Sequence, residues 1–181
     1  MKYQETATSY YKTFELLFAR SLRRLGTPCF PSGFFRSLLK NFGRMAEIRE
    51  IHLSGSPVAA VFSLYFRDRV LPYYGASEPQ YNAQAPSSFM YYDLMRSAGR
   101  RGLKTFDFGR SKKDGGGSHD FKSHWGMEAR ELPYEFLLLR RAKLPHFSPA
   151  NPKFRFAIRA WQKMPLSLTR IIGPPLIRLF P

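Results

Sequence analysis

Cysteine and acidic residues are both scarce in this chain. Cys29 is the only cysteine, so an internal disulfide is impossible and a zinc site built on several cysteines is excluded. The 29 lysines and arginines face only 13 aspartates and glutamates, which leaves a formal net charge of +16. Such a surface favours anionic partners, among them phosphates, nucleic acid and acidic lipid headgroups. Charge alone does not choose among these partners.

Long apolar runs are missing as well. The first residues, "MKYQETATSYYK", lack the apolar core of a signal peptide, and no run approaches the ~20 apolar residues that a transmembrane helix needs. We therefore expect a soluble, cytoplasmic protein. Hydrophobic residues nevertheless make up 44% of the 181 residues and aromatic residues 16%, which excludes a disordered chain. The length suits one domain with a sizeable core.

Hydrophobic periodicity predicts three main helices. In "TSYYKTFELLFARSLRRLG" the apolar residues recur at helical spacing, with Ser9 as a plausible cap and Gly26 as the stop. A shorter helix, "SGFFRSLLKNFG", ends at Gly43. The third helix, "SSFMYYDLMRSAGRRG", can be capped by Ser87 or Ser88.

Strand signals lie between and after these helices. "MAEIREIHL", "PVAAVFSLYF" and "VLPYYGA" are separated by short turns and predict an antiparallel meander. "LKTFDFG" follows the third helix, which indicates a crossover to a parallel strand. The short helix "SHDFKSHWG" and a last strand, "LPYEFLLLR", complete the order α-α-β-β-β-α-β-α-β. This order predicts an α/β (α+β) fold with a mixed, mostly antiparallel sheet flanked by helices.

The last part of the chain differs in composition. We expect one domain over residues 1–142 and a basic, proline-rich tail over 143–181, where seven lysines and arginines face no acidic residue. The tail can form short helices at about 152–163 and 166–172. Its pattern fits a segment that lies on an anionic membrane, wraps its own domain or docks on a partner domain.

The stretch "FDFGRSKKDGGGSHDFKSHWG", residues 106–126, carries the clearest candidate chemistry. A strand runs through a cationic, glycine-rich turn into a helix, and such a turn can cradle a phosphate with backbone N–H groups. A solvated surface loop is the alternative. The spacing fits neither a P-loop nor a dinucleotide fingerprint. The residues that would bind phosphate are Arg110, Ser111, Lys112, Lys113, Gly115, Gly116 and Gly117.

Asp107 and the four histidines are further candidates for chemistry. Asp107, at the end of the strand, could orient an amine or act as a base, although it could equally satisfy backbone donors or pair with Arg110. The four histidines show no metal-ligand spacing beyond one isolated pair five residues apart, so no metal site is expected.

Several stretches together resemble the C-terminal half of FemAB-like proteins in the GNAT acyltransferase superfamily. They are "RRLGTPCFPSGFF", "PVAAVFSLYFRDRVLPYYGAS", "FDFGRSKKDGGGSHDFKSHWG" and "LPYEF", and the resemblance covers about residues 10–140. Within this group, the sequence resembles more specifically the FemAB type associated with PEP-CTERM and exopolysaccharide systems. It implies a GNAT fold whose sheet is splayed between "VLPYYGAS" and "KTFDFG", with a substrate cleft at Tyr73, Tyr74 and Gly75.

The resemblance also implies an activity and its residues. An acyl or aminoacyl group would pass to an amine of a cell-envelope or exopolysaccharide-related acceptor, with no permanently bound cofactor. The donor stays open between acyl-CoA and aminoacyl-tRNA, because "SEPQYNAQAPSS" lacks the glycine pattern of ordinary GNAT pyrophosphate turns. Lys122 stands where many GNAT enzymes have a tyrosine, and the pair Phe121–Lys122 is similar to that of Fem-type aminoacyl transferases. The implied catalytic residues are Lys122, Phe121 and Asp107.

A second class of function remains open beside this one. The chain could be a non-catalytic, basic half-domain that binds RNA, anionic membrane or a partner domain. Because family members usually have two GNAT-like halves, an N-terminal half or a second copy in a homodimer is a possible partner. Contact of the tail with lipid would place the protein at the inner membrane surface.

Overall fold

The structure is a computed structural model that describes residues 2–4, 11–111, 117–139 and 154–178. Its strands and helices follow one another as β1 (Lys2–Gln4), α1 (Tyr11–Leu25), α2 (Phe34–Phe42), β2 (Ala46–Leu53), β3 (Ser56–Phe66), β4 (Arg69–Ser77), α3 (Pro86–Arg100), β5 (Thr105–Phe106), α4 (Gly117–Ser123), α5 (Arg155–Lys163) and α6 (Leu166–Ile177). None of these helices is long and apolar enough to cross a membrane.

The five strands form one sheet in the order β1-β2-β3-β4-β5. All neighbours are antiparallel except β4 and β5, which are parallel. The parallel pair arises because α3 carries the chain back across the sheet before β5 begins. The predicted meander, the crossover and the mixed α/β class are therefore confirmed.

Each face of the sheet buries its own apolar cluster. Residues alternate along β3, so Ala60 and Phe62 pack under α1 and α2, whereas Ala59 and Val61 pack under α3. Gly26 ends α1 with φ at 77°, a conformation that glycine adopts without the penalty of a Cβ atom. The helical periodicity read from the sequence thus reflects these two buried contacts.

The tail helices pack on α1 and on the loop that follows it. A Cβ atom at Gly26 would lie 2.4 Å from Ile158 in α5, and one at Gly173 would lie 2.6 Å from the backbone nitrogen of Cys29. Gln162 Nε2 donates to the carbonyl of Arg24 at 2.9 Å. The described part of the tail therefore lies against its own domain, while the proposed boundary near residue 142 stays a prediction.

The last predicted strand is wrong over the residues described. Residues 132–138 form no regular element, and their apolar side chains, among them Leu137 at 86% exposed, face solvent. Pro133 lacks an N–H for a ladder, and β5 has only two residues to offer as a partner edge. The apolar run predicted a strand, but none of the described strands pairs with it.

Two smaller differences concern β1 and the start of α3. β1 was not predicted, because three residues are too few to show a strand pattern and they owe their conformation to the pairing of Lys2–Gln4 with β2. The predicted serine cap of α3 is wrong: the helix begins at Pro86, and Ser87 Oγ instead donates to Ser77 Oγ at 3.0 Å. Proline suits this first position, where no intrahelical N–H bond is needed.

Candidate functional site

The sheet opens between β4 and β5. Their parallel register covers only two pairs, Arg69 with Thr105 and Val70 with Phe106. The N–H of Asp107 still donates to the carbonyl of Val70 at 2.9 Å. Beyond that bond β4 continues to Ser77, and among the described strands β3 alone pairs with it there, which leaves an opening between the ends of β4 and β5.

A bulge and a proline in β4 account for the opening. Phe62 pairs with Tyr74 and Ser63 pairs with Pro72, so Tyr73 is an extra, unpaired residue in a β-bulge. A bulge bends its strand and interrupts the ladder, and Pro72 has no N–H to offer. Together these residues divert β4 from β5.

Five aromatic side chains hold α4 across the end of β5. Phe108 lies 5.1 Å from Tyr91, and Tyr91 lies 5.4 Å from Phe121, measured between ring centroids. Trp125 contacts both Phe108, at 6.3 Å, and Phe121, at 6.1 Å, while Phe106 contacts Phe108 at 4.9 Å. The cluster fixes α4 against α3 and β5. Phe121 therefore positions the helix through its packing.

This placement brings Lys122 to the end of β5. Its Nζ donates to the carbonyl of Arg110 at 2.7 Å. Partial burial lowers the pKa of Lys122, and the nearby Asp107 opposes that effect. Asp107 Oδ1 accepts the N–H of Gly109 at 2.8 Å, so the strand end closes into a tight turn around the carboxyl group. Lys122, Asp107 and Arg110, which the sequence singled out, thus lie together.

Arg110 is exposed and has a partner that the sequence did not suggest. Its Nη1 donates to the hydroxyl of Tyr134 at 2.5 Å, and its guanidinium lies 5.9 Å from the centre of the same ring. The hydrogen bond and the phenol raise the pKa of Arg110, with a smaller contribution from Tyr73. Because Tyr134 falls in the stretch that was interpreted as a strand, its contact with Arg110 was not predicted.

The three predicted cleft residues do not all lie on the same face of β4. Tyr73 is exposed at the bulge, and Gly75 is exposed one position beyond Tyr74. Tyr74 instead packs on the other face, 5.4 Å from Phe18. A Cβ atom at Gly75 would lie 3.6 Å from the hydroxyl of Tyr91, whose pKa is raised by burial. The sequence missed Tyr91, since its place at helical spacing in α3 indicated only core packing.

The remaining predicted phosphate ligands are placed less completely. Ser111 is exposed, and Gly117 begins α4. Lys112, Lys113, Gly115 and Gly116 lie outside the described residues, so the cradle stays a prediction. The turn before α3 forms a short 3₁₀ helix over Pro79–Gln84.

Two adjoining depressions lie elsewhere, at the loop between α1 and α2. Glu15, Ser32 and Arg170 line both of them. Burial raises the pKa of Glu15, although it accepts a 2.9 Å hydrogen bond from the N–H of Gly33. None of the predicted site residues lines either depression. Among the residues that the structure describes, no group of three histidine, cysteine, aspartate or glutamate side chains could hold a metal ion.

Solved structures share the fold of this chain. A possible acetyltransferase from Clostridium difficile 630 is 9% identical, with a TM-score of 0.62 over 77% of this chain and 98% of that one. A predicted acetyltransferase from Clostridium acetobutylicum, solved with acetyl-CoA, is 14% identical, with a TM-score of 0.57 over 78% and 99%. An aminoglycoside acetyltransferase from an uncultured soil metagenomic sample is 16% identical, with a TM-score of 0.57 over 77% and 96%. At these identities the likeness concerns the fold alone.

Family assignment comes from the sequence match. A comparison with curated proteins finds no match. The family described as the acetyltransferase (GNAT) domain, in contrast, matches residues 2–123 of the 181. This stretch contains every element from β1 to α4, including the opening between β4 and β5 and the lysine beside it. The chain therefore belongs to the GNAT acetyltransferase domain family.

Proposed function

We propose that this protein transfers an acyl group from acyl-CoA to an amine, with the thioester bound in the opening between β4 and β5. The observation that carries the proposal is Lys122, a partly desolvated cation held at this opening by its bond to Arg110. Membership of the acetyltransferase family supports the same reaction class. The open backbone edge at the Tyr73 bulge adds hydrogen-bonding groups that none of the described strands uses.

In the proposed reaction, the lone pair of the amine attacks the thioester carbonyl. A C–N bond forms, negative charge builds on the carbonyl oxygen, and the C–S bond then breaks to release the CoA thiolate. The amine loses one proton and the thiolate gains one. The ammonium group of Lys122 stabilises the developing charge more than the neutral thioester, which lowers the barrier. Asp107, beside it, orients the amine or receives its proton.

Phosphate binding is the second part of the proposal. Arg110 is exposed at the end of β5 and already has its guanidinium oriented by Tyr134. We assign it to the donor phosphates, together with Ser111, Lys112, Lys113 and the glycines that follow. Backbone N–H groups of such a turn and its cations attract phosphate together.

The more specific proposals for the donor and the acceptor are based on the sequence resemblance. An aminoacyl-tRNA donor is the alternative, favoured by Lys122 in place of a tyrosine and by the glycine-poor turn before α3. The acceptor would be an amine of a cell-envelope or exopolysaccharide-related molecule. An N-terminal GNAT-like half or a second copy could supply further acceptor contacts.

Amine-dependent release of the CoA thiol tests the activity. Acetyl-CoA is offered with a panel of amino sugars, peptides with free N-termini and polyamines, and thiol formation is followed with a colorimetric reagent. We expect at least one amine class to raise the rate well above hydrolysis, because amines are stronger nucleophiles than water. Binding of acetyl-CoA without release for any amine would instead indicate a non-catalytic domain.

A further inference from the structure

Helix α6 carries apolar residues on its exposed side as well as on its buried side. Thr169 and Gly173 are buried against the loop that contains Cys29. On the outer face, however, Leu168 is 43% exposed and Ile171 is 72% exposed. These two aliphatic side chains are left uncovered beside the exposed Ser167 and Arg170.

Helix α5, which precedes α6 in the chain, presents a row of exposed cations. Arg155, Arg159 and Lys163 recur every four residues and are exposed, whereas Trp161 on the opposite face is buried. Phe156, next to Arg155, is 83% exposed. The outer face of α5 thus combines three positive charges with one large aromatic ring.

The two outer faces are held in place by specific contacts. The carbonyl of Met164, between the helices, accepts a 3.1 Å hydrogen bond from Arg23 in α1. Close packing of Ile158 on Gly26 and of Gly173 on Cys29 fixes each helix against the domain. The apolar residues are therefore displayed by a folded surface.

We propose that the outer faces of α5 and α6 form a docking surface for an anionic lipid bilayer. Charge complementarity selects this partner, because residues 143–181 contain no acidic side chain, and Arg178 adds an exposed cation at the end of α6. Aliphatic side chains enter the acyl region while neighbouring cations remain with the headgroups. RNA would find no hydrogen-bonding groups on Leu168 and Ile171.

Vesicle flotation of the full chain tests the proposal. Wild-type protein is mixed with phosphatidylcholine vesicles and with vesicles that contain equal parts phosphatidylglycerol, at low and at high salt. We expect binding to the anionic vesicles, part of which persists at high salt through the apolar contacts. The double variant Leu168→Ser/Ile171→Ser is expected to lose about tenfold in partitioning, since it removes two buried aliphatic side chains from the interface.

The control is Phe66→Ser, which removes a 63% exposed aromatic side chain from the end of β3. Circular dichroism confirms that each variant remains folded. The proposal is supported if the control binds vesicles like the wild type while the double variant does not. It is overturned if the wild type ignores vesicles, if high salt abolishes all binding, or if the double variant binds unchanged. The proposal is also overturned if the wild type binds an RNA oligonucleotide instead of vesicles and the double variant loses this RNA binding.

Discussion

Lys122→Ala is expected to lower kcat/KM for amine-dependent thiol release by about 10²- to 10³-fold, the cost of losing one group that stabilises transition-state charge. The ammonium group lies beside Asp107 and the carbonyl of Arg110, where the thioester is proposed to bind. The measurement is the initial rate of thiol release with the best amine of the panel. The KM for acetyl-CoA should change little, because the charge develops during the reaction.

Two matched variants separate charge from geometry. Lys122→Gln keeps a donor toward the carbonyl of Arg110 without the positive charge and should be nearly as slow as Lys122→Ala. Lys104→Ala removes an exposed cation before β5 and should retain wild-type rates. If Lys122→Gln were fully active, the residue would act only by holding the loop.

The pH profile of the same reaction gives an independent readout of Lys122. Burial lowers its pKa from the ordinary 10.5. The neutral amine therefore forms at a lower pH than in an exposed lysine, and the rate should fall on the alkaline side as the pH rises through this lowered pKa. Lys122→Ala should lack that alkaline limb. A profile unchanged by the substitution would contradict the role of the ammonium group.

Arg49→Met is expected to destabilise the fold by ~3–5 kcal/mol, because the buried carboxyl group of Asp93 loses its close, buried partner and keeps the 3.6 Å contact with the exposed Arg96. The Arg49 side chain is 1% exposed, and its Nη1 lies 3.0 Å from Asp93 Oδ2 in α3. Its Nη2 donates to Ser97 Oγ at 2.6 Å, and its Nε contacts Glu47. Thermal unfolding should show the melting temperature reduced by ~10 °C or more.

The matched control for Arg49 is Arg101→Met. Arg101 also contacts Glu47, at 2.7 Å, but its side chain is 40% exposed. An ion pair so accessible to solvent contributes ~0–1 kcal/mol, so this variant should melt within a few degrees of the wild type. Equal melting temperatures for the two variants would mean that burial of the Arg49 contacts does not matter.

Much of the fold could be predicted because the sequence encodes it locally. The spacing of Phe14, Leu17 and Phe18 reflects one buried helix face, and Gly26 reflects a turn with positive φ. The short turns between β2, β3 and β4 similarly fix an antiparallel meander. Each of these signals lies within a few residues of the element that it defines.

The site could be predicted only in part, because its shape depends on pairings between distant residues. The motif at 106–126 identified Lys122 and Asp107, whose proximity the structure reports. The bulge at Tyr73 depends on the register between β3 and β4, and alternation alone could not tell which of Tyr73 and Tyr74 faces the opening. Tyr91 was missed for the same reason, since only the fold brings it beside Gly75.

We propose that the opening between β4 and β5 binds the acyl donor. Calorimetric titration of acetyl-CoA into the full chain, at low and at physiological salt, tests this claim. We expect saturable one-to-one binding that survives physiological salt and is lost in Gly75→Leu, which fills the opening beside Tyr91. Gly99→Leu, at an exposed position in α3 with open space around it, should bind like the wild type. Binding that vanishes with salt, or that Gly75→Leu leaves intact, would contradict the claim.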